Sequence, residues 1–293
     1  MIKVKKMEIK NHKCYNEKAE TELEPNAWIQ GQLGSMNSVL KFLTEFKPEF
    51  VEDYTQHFTK RIKNAIDSIE KKDGYYDFPA IEEKFEFLDK YPKLRILTRE
   101  FLLAHVNPMR KSPTKPEKFL AYGFNHSMAF RRISYHRVKS FAELLGKEEG
   151  IKLYTKILTR MIEVASKKSP EKSDISNTKY CEKAIKSWCE YGMANFTSCV
   201  LDEDMTVFRF DSCFAHEVLK DFNDPDIAYY ASCYGADLPV FNEGRIICVK
   251  RTQTLHHEPF CDELYWDSRV HNDPEMPSSD FLKNMGKEKG EKK

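Results

Sequence analysis

The stretch Met205–Asp211, MTVFRFD, decides the fold class. Its β-branched and aromatic residues suit a pleated, half-buried strand, and two later runs, Arg245–Thr254 (RIICVKRTQT) and Asp262–Asp267 (DELYWD), share that character. Further upstream the pattern differs. From about residue 36 to 170, MNSVLKFLTEF, YTQHFTKRIKNAIDSIEKK and IEEKFEFLDKYPKLRILTREFLLAH place apolar residues three and four apart, as helices do, and nothing alternates like a strand. The hydrophobic period therefore switches after Ser176. This predicts an α+β fold, with a helical N-terminal half followed by one antiparallel sheet with packed helices.

Loops and short helices punctuate this plan. KSPTKPEK (111–118) and SKKSPEKSDIS (166–176) read as loops, and two helices meet near Gly146. TKYCEKAIKSWCEYGMANF sets Cys181, Ile185, Trp188, Cys189 and Met193 on one helical stripe. SCFAHEVLKDF is a short helix candidate, and another starts at Asp224 with a proline in its first turn. The chain divides into a helical region at 1–110, an α+β domain at 111–272 and a disordered basic tail at 273–293.

With 47 Lys+Arg against 46 Asp+Glu, the net charge of +1 gives no electrostatic reason to expect nucleic acid or an anionic membrane as partner. No segment approaches the about 20 apolar residues of a membrane span or the apolar core of a signal peptide, which predicts a cytoplasmic protein. Eight cysteines in 293 residues are too sparse for a disulfide scaffold, so reduced thiols are expected.

Candidate chemistry gathers in three polar clusters at expected element junctions: Cys213 with His216, Cys233 with Asp237, and His256 and His257 with Cys261 and Asp262. A cysteine at a helix start, three residues before a histidine, shares its face and gains thiolate character from the positive helix N-terminus. Structural zinc calls for four nitrogen or sulfur ligands, usually in paired knuckles, and the sequence has no such pair; a catalytic divalent metal held by His and Asp stays open. Cys181, Cys189, Cys199 and Cys248 lie in apolar stripes and read as packing residues. In GFNHSMAFRRISYHR, the polar run from Asn125 through Arg131, Arg132 and His136 to Arg137 is a charged helix face in which one arginine fork suits an anionic small molecule. No Gly-rich phosphate loop, nucleophile elbow, kinase motif or dinucleotide fingerprint is present.

Taken together, Val207–Asp267 resembles the L-2-amino-thiazoline-4-carboxylic acid hydrolase family. The resemblance lies in the order of parts: a strand running into Cys213 and a short helix, a helix ending in Cys233-x-x-x-Asp237, the stretch Arg251–Leu255, and then Cys261-Asp262 leading an aromatic strand. It covers about residues 175 to 270, with weaker similarity from about 130. It implies hydrolytic opening of a small cyclic amidine or isothiourea, such as 2-amino-thiazoline-4-carboxylate to a carbamoyl-cysteine. Water or a thiolate must attack C2, the ring nitrogen must receive a proton, and the substrate carboxylate needs a cationic anchor. Cys261 and Asp262 are expected to line the pocket, faced by Cys233 and Asp237 with Cys213 near by; Arg251, His256, His257 and Arg131 are the substrate-binding candidates. No cofactor is implied with certainty, and a homo-oligomer stays open. Two other classes also stay open: a small-molecule-binding or sensory module without turnover, and a structural metal-binding domain.

Overall fold

A computed structural model describes residues 7–69, 83–115, 117–168 and 175–287. Within them the fold is α+β, as the switch in period predicts. Helix α1 (Pro25–Phe46) buries Ile29, Leu33, Met36, Leu40 and Leu43, which are three or four residues apart and so share one face. Helices α2 (Val51–Asp67) and α3 (Pro92–Val106) do the same with Tyr54, Phe58 and Ile62, and with Leu94, Phe101 and Leu102. The hub is α4 (Gly123–Leu145), which packs against α2, α3, α5 (Lys147–Lys168) and α8 (Pro225–Ser232). Phe141 of α4 stacks on Tyr54 at 4.4 Å. Gly146, at φ 82°, reverses the chain between α4 and α5, a conformation that glycine adopts without strain. One continuous apolar core runs from Leu23 to Ala228, so helices before and after residue 110 share it.

The second layer is a sheet of order β1-β5-β6-β8-β7, antiparallel throughout: β1 (Glu8–Lys13), β5 (Ala194–Val200), β6 (Met205–Cys213), β8 (Cys261–Asp267) and β7 (Ile247–Lys250). Alternation sorts its side chains. Phe196, Phe208, Phe210 and Cys261 face Trp188 of α6 (Asn177–Glu190), whereas Cys199, Val207, Leu264 and Trp266 face Phe260, Leu282 and Met285. A smaller sheet joins β2 (Glu20–Leu23), β4 (Phe119–Tyr122) and β3 (Arg110–Lys111) in the order β2-β4-β3. Among the described residues no helix is long and apolar enough to cross a membrane.

Several expectations are corrected. The first 170 residues contain β1 to β4, and β1 pairs with β5, so the main sheet is not confined to the C-terminal half. The stripe read as helical to Met193 ends at Glu190 and gives way to β5. The run RIICVKRTQT is strand only to Lys250, because its second part is bound by a side chain described below. The tail contains α9 (Ser279–Asn284), where Leu282 and Met285 cover the far face of the sheet; residues 288–293 lie outside the described residues, as do 70–82 of the helical run. Cys14 and Cys189 form a disulfide rather than remaining thiols, joining positions 175 residues apart.

Where α5 crosses α4, Gly150 lies against the backbone of Phe141, and a Cβ there would collide with the Phe141 carbonyl. Gly31, in α1, has open space around it. Gly150→Ala should therefore destabilise by about 1–3 kcal/mol, while Gly31→Ala should stabilise by up to about 1 kcal/mol. Urea midpoints test both, and equal shifts in the two variants would contradict the packing.

Candidate functional site

Past Lys250 the chain leaves the sheet with Arg251 turned inward, its side chain only 9% exposed. Arg251 Nε lies 2.8 Å from Asp237 Oδ1, and Nη2 lies 3.1 Å from Glu263 Oε1. The two acids come from different layers. Asp237 closes the 3-10 turn Tyr234–Asp237 after α8, and Glu263 belongs to β8. Burial alone would weaken the Arg251 charge, but Glu263, the neighbouring Cys233 and Cys261, and Asp237 outweigh it and raise its proton affinity.

The Asp237 pairing is unusual. Neither Arg251 Nε nor Asp237 Oδ1 makes a hydrogen bond among the described residues, so the two meet off the hydrogen-bond axis. Asp237 Oδ2 accepts from the Tyr229 hydroxyl at 2.8 Å. Burial pushes the Asp237 carboxyl above its usual range, against the pull of Arg251 and the Tyr229 bond. A cleft of about 410 Å³ opens over Tyr229, Asp237, Arg251 and Thr252–Thr254, with His257 and Glu258 completing it.

Asp262 shapes that cleft from behind. Fully buried, it accepts from Thr252 N at 2.6 Å, Gln253 N at 3.3 Å and Thr252 Oγ1 at 2.5 Å. These bonds fold residues 252–253 over the strand end and stop β7 from continuing. Cys261 and Asp262 do not line one pocket, because adjacent strand residues point to opposite faces: Cys261 stands opposite Phe210, and Asp262 opposite Arg209.

The thiols are also different from expectation. Cys213 caps the single turn α7 (Phe214–Glu217), its Sγ accepting from Ala215 N at 3.2 Å. Burial nevertheless raises its pKa, outweighing Arg131 and the backbone N–H groups, so the expected thiolate does not form at neutral pH. Cys261, 9% exposed, is driven well above the usual thiol range by burial first and then by Glu263. Cys233, half-buried at the end of α8, lies 3.4 Å from Ser232 Oγ.

Ser232 gathers two more of the candidates. Its hydroxyl meets His256 Nε2 at 2.9 Å, and its carbonyl accepts from Arg131 Nη1 at 3.0 Å. Burial, reinforced by His216 and Arg131, lowers the His256 pKa to about 3, so the ring is neutral at pH 7. His257 instead turns outward to Asp226 Oδ1 at 2.9 Å, in a pair shared with Lys147. The structure thus groups Arg251, Asp237, Cys233, Cys261, Arg131 and His256, with Cys213 within electrostatic reach of Cys233 and Cys261. It sets Asp262 behind the cleft, while His257 lines the cleft with its ring turned to Asp226.

Tyr229, Ser232 and Glu263 were missed in the sequence. Glu263 was detectable, since it shares the Cys261 face two residues along the strand. Among the described residues, the group of three or more His, Cys, Asp or Glu close enough to share a metal is Asp202, Asp204 and His271, none of them an expected ligand. Comparison with models of known protein families, with curated proteins and with solved structures yields no match.

Truncating Asp262 would leave two backbone N–H groups and a hydroxyl without their acceptor, at about 1–3 kcal/mol for each that stays dry. Asp262→Ala should lower the urea midpoint and open Thr252–Thr254 to rapid amide exchange, and Asp262→Asn, which keeps one acceptor, should do so less. Unchanged exchange at Thr252 and Gln253 in Asp262→Ala would contradict this role.

Proposed function

We propose that the Asp237–Arg251 cleft hydrolyses a small cyclic amidine or isothiourea of the 2-amino-thiazoline-4-carboxylate kind, with Asp237 as its acid–base group. The observation that carries this reading is Asp237 Oδ1, a buried carboxylate oxygen without a hydrogen-bond donor among the described residues, at a cleft of small-molecule size. A carboxyl of raised proton affinity takes up a proton more readily than a free one and can pass it to a basic nitrogen.

In the proposed reaction, water adds to C2 and loses a proton as the new C–O bond forms. Asp237 takes that proton and passes it to the ring nitrogen. On collapse, the adduct's hydroxyl loses its proton as C=O forms, the ring C–N bond breaks and the leaving nitrogen gains this second proton, again through Asp237, so water is the only co-reactant. Arg251 is the cation that lines this cleft and could meet a substrate carboxylate. The raised pKa values of Cys213 and Cys261 favour water over a thiolate as nucleophile. This reading sets the enzyme in the cytoplasm; the Cys14–Cys189 bridge is a feature that argues for an oxidising compartment instead.

The same protonated thiols favour a second reading, a binding module that holds the small molecule without turning it over. Incubation of the purified chain with 2-amino-thiazoline-4-carboxylate, followed by mass spectrometry for carbamoyl-cysteine, separates the two. Turnover is expected, with Asp237→Asn lowering kcat by about 100-fold or more at an unchanged fold. Near-normal kcat in a well-folded Asp237→Asn protein would remove Asp237 from the reaction. Binding of the compound without product would replace the hydrolase reading with the binding-module one.

A further inference from the structure

Arg131 and Arg132 are neighbours on α4 and leave it about 100° apart, so one helix serves two places. Arg131 turns to Ser232, whereas Arg132 donates from Nε to Val218 O at 3.0 Å and borders a second, larger cleft of about 690 Å³. This cleft lies among α2, α3 and α4. Arg61 comes from α2, His105 from α3, and Asn125, Arg132 and His136 from α4. Ile66, Met128 and Phe222 supply an apolar part of its wall, and among the described residues no Asp or Glu lines it.

The positive charge in this cleft is incompletely answered. Arg61 Nη1 is paired with Glu143 at 2.5 Å, but Arg61 Nε is buried without a hydrogen-bond partner among the described residues. Arg132 Nη2 comes no closer than 3.8 Å to Asp221, a carboxylate 74% exposed to water and therefore well screened. His105 Nδ1 lies 3.0 Å from the Phe101 carbonyl and must donate to it, which leaves Nε2 as an acceptor in the neutral ring. His136 Nδ1 faces Arg61 Nη2 at 3.5 Å and must accept, which leaves its proton on Nε2. Burial first, and then the arginine charges, lower His105 to about 4 and His136 to about 3. The field of Arg132 thus reaches both rings, and that of Arg61 reaches His136.

We propose that this cleft binds a small organic anion, its acid group held between Arg132 and Arg61 and its apolar body resting on Ile66, Met128 and Phe222. The volume lies within the roughly 300–1,000 Å³ of small-molecule sites. Among the described lining residues a metal cation would meet two arginines and no carboxylate, and a neutral ligand would leave the charge of Arg132 answered only by the distant, exposed Asp221. The inference is independent of the hydrolase reading, which concerns a cleft that shares no lining residue with this one.

Calorimetric titration of the full chain at pH 7 with benzoate, benzamide and inorganic phosphate tests it, because the first two differ only in charge and the third lacks an apolar body. Benzoate should bind about tenfold or more tightly than benzamide, and more tightly than phosphate. Arg132→Gln should weaken benzoate by a similar factor, with partial recovery in Arg132→Lys. Asn125→Asp, which adds a negative charge and leaves Arg132 in place, should weaken it too, and it serves if Arg132→Gln fails to fold. Equal binding of benzoate and benzamide would overturn the proposal, as would absence of benzoate binding at millimolar concentration. So would loss of benzoate binding in Arg131→Gln but not in Arg132→Gln, since that would place the probe beside Ser232.

Discussion

A guanidinium removed from water is tolerated only where acids lie against it, and Arg251 meets that condition with one acid from each layer. Glu263 reaches it from the sheet and Asp237 from the turn that ends α8. Removing either acid would leave a buried cation short of compensation, so the charge fixes how α8 and its turn sit on β8. The same requirement brings Cys233 and Cys261 beside the cation and leaves one oxygen of Asp237 without a hydrogen-bond donor among the described residues. The candidate site is thus a consequence of joining two layers through one charge.

The neighbouring residues divide the remaining tasks. Asp262, on the other face of β8, holds the loop that carries Arg251 out of the sheet, so it positions the cleft without touching what the cleft would bind. Ser232 ties Arg131 of the hub helix to His256 of the loop. Low dielectric disfavours charge at several groups here: the Cys213 and Cys261 thiols and the Asp237 carboxyl gain proton affinity, and His256 loses it. Chemistry in such a place relies on neutral donors and acceptors around fixed arginines.

Much of this was legible in the sequence, for physical reasons. Helices α1 to α5 each bury a stripe three and four residues apart, and β6 and β8 carry the β-branched and aromatic residues that suit strands packed on both faces. The Asp224 cap was readable because its carboxylate accepts from Ile227 N ahead of a proline-led helix. Strand β1 was not readable: EIKNHK is an edge strand exposed along nearly its whole length, so burial writes no period into it. Strand β5 follows α6 after a turn at Gly192 and begins with apolar residues that fit the helical stripe equally well. The loop at Thr252–Thr254 reads as strand by composition, and only Asp262, ten residues on, makes it a loop. Cys14 and Cys189 are 175 residues apart, and nothing local links them. The site's residue types were visible, but the facing of Cys261 and Asp262 depended on register, and Tyr229 and Ser232 are placed by the α8 turn.

The central claim is that burial at the joint between layers, outweighing Arg251, raises the proton affinity of Asp237. Carbon-13 NMR of the Asp237 carboxyl across a pH titration measures it directly. The account predicts a midpoint above the ordinary 3.8, with the stability due to this group present below that value and lost as pH rises through the folded midpoint. A midpoint at or below 3.8 would show that Arg251 dominates, and would contradict both the electrostatics of the joint and the acid–base role drawn from it.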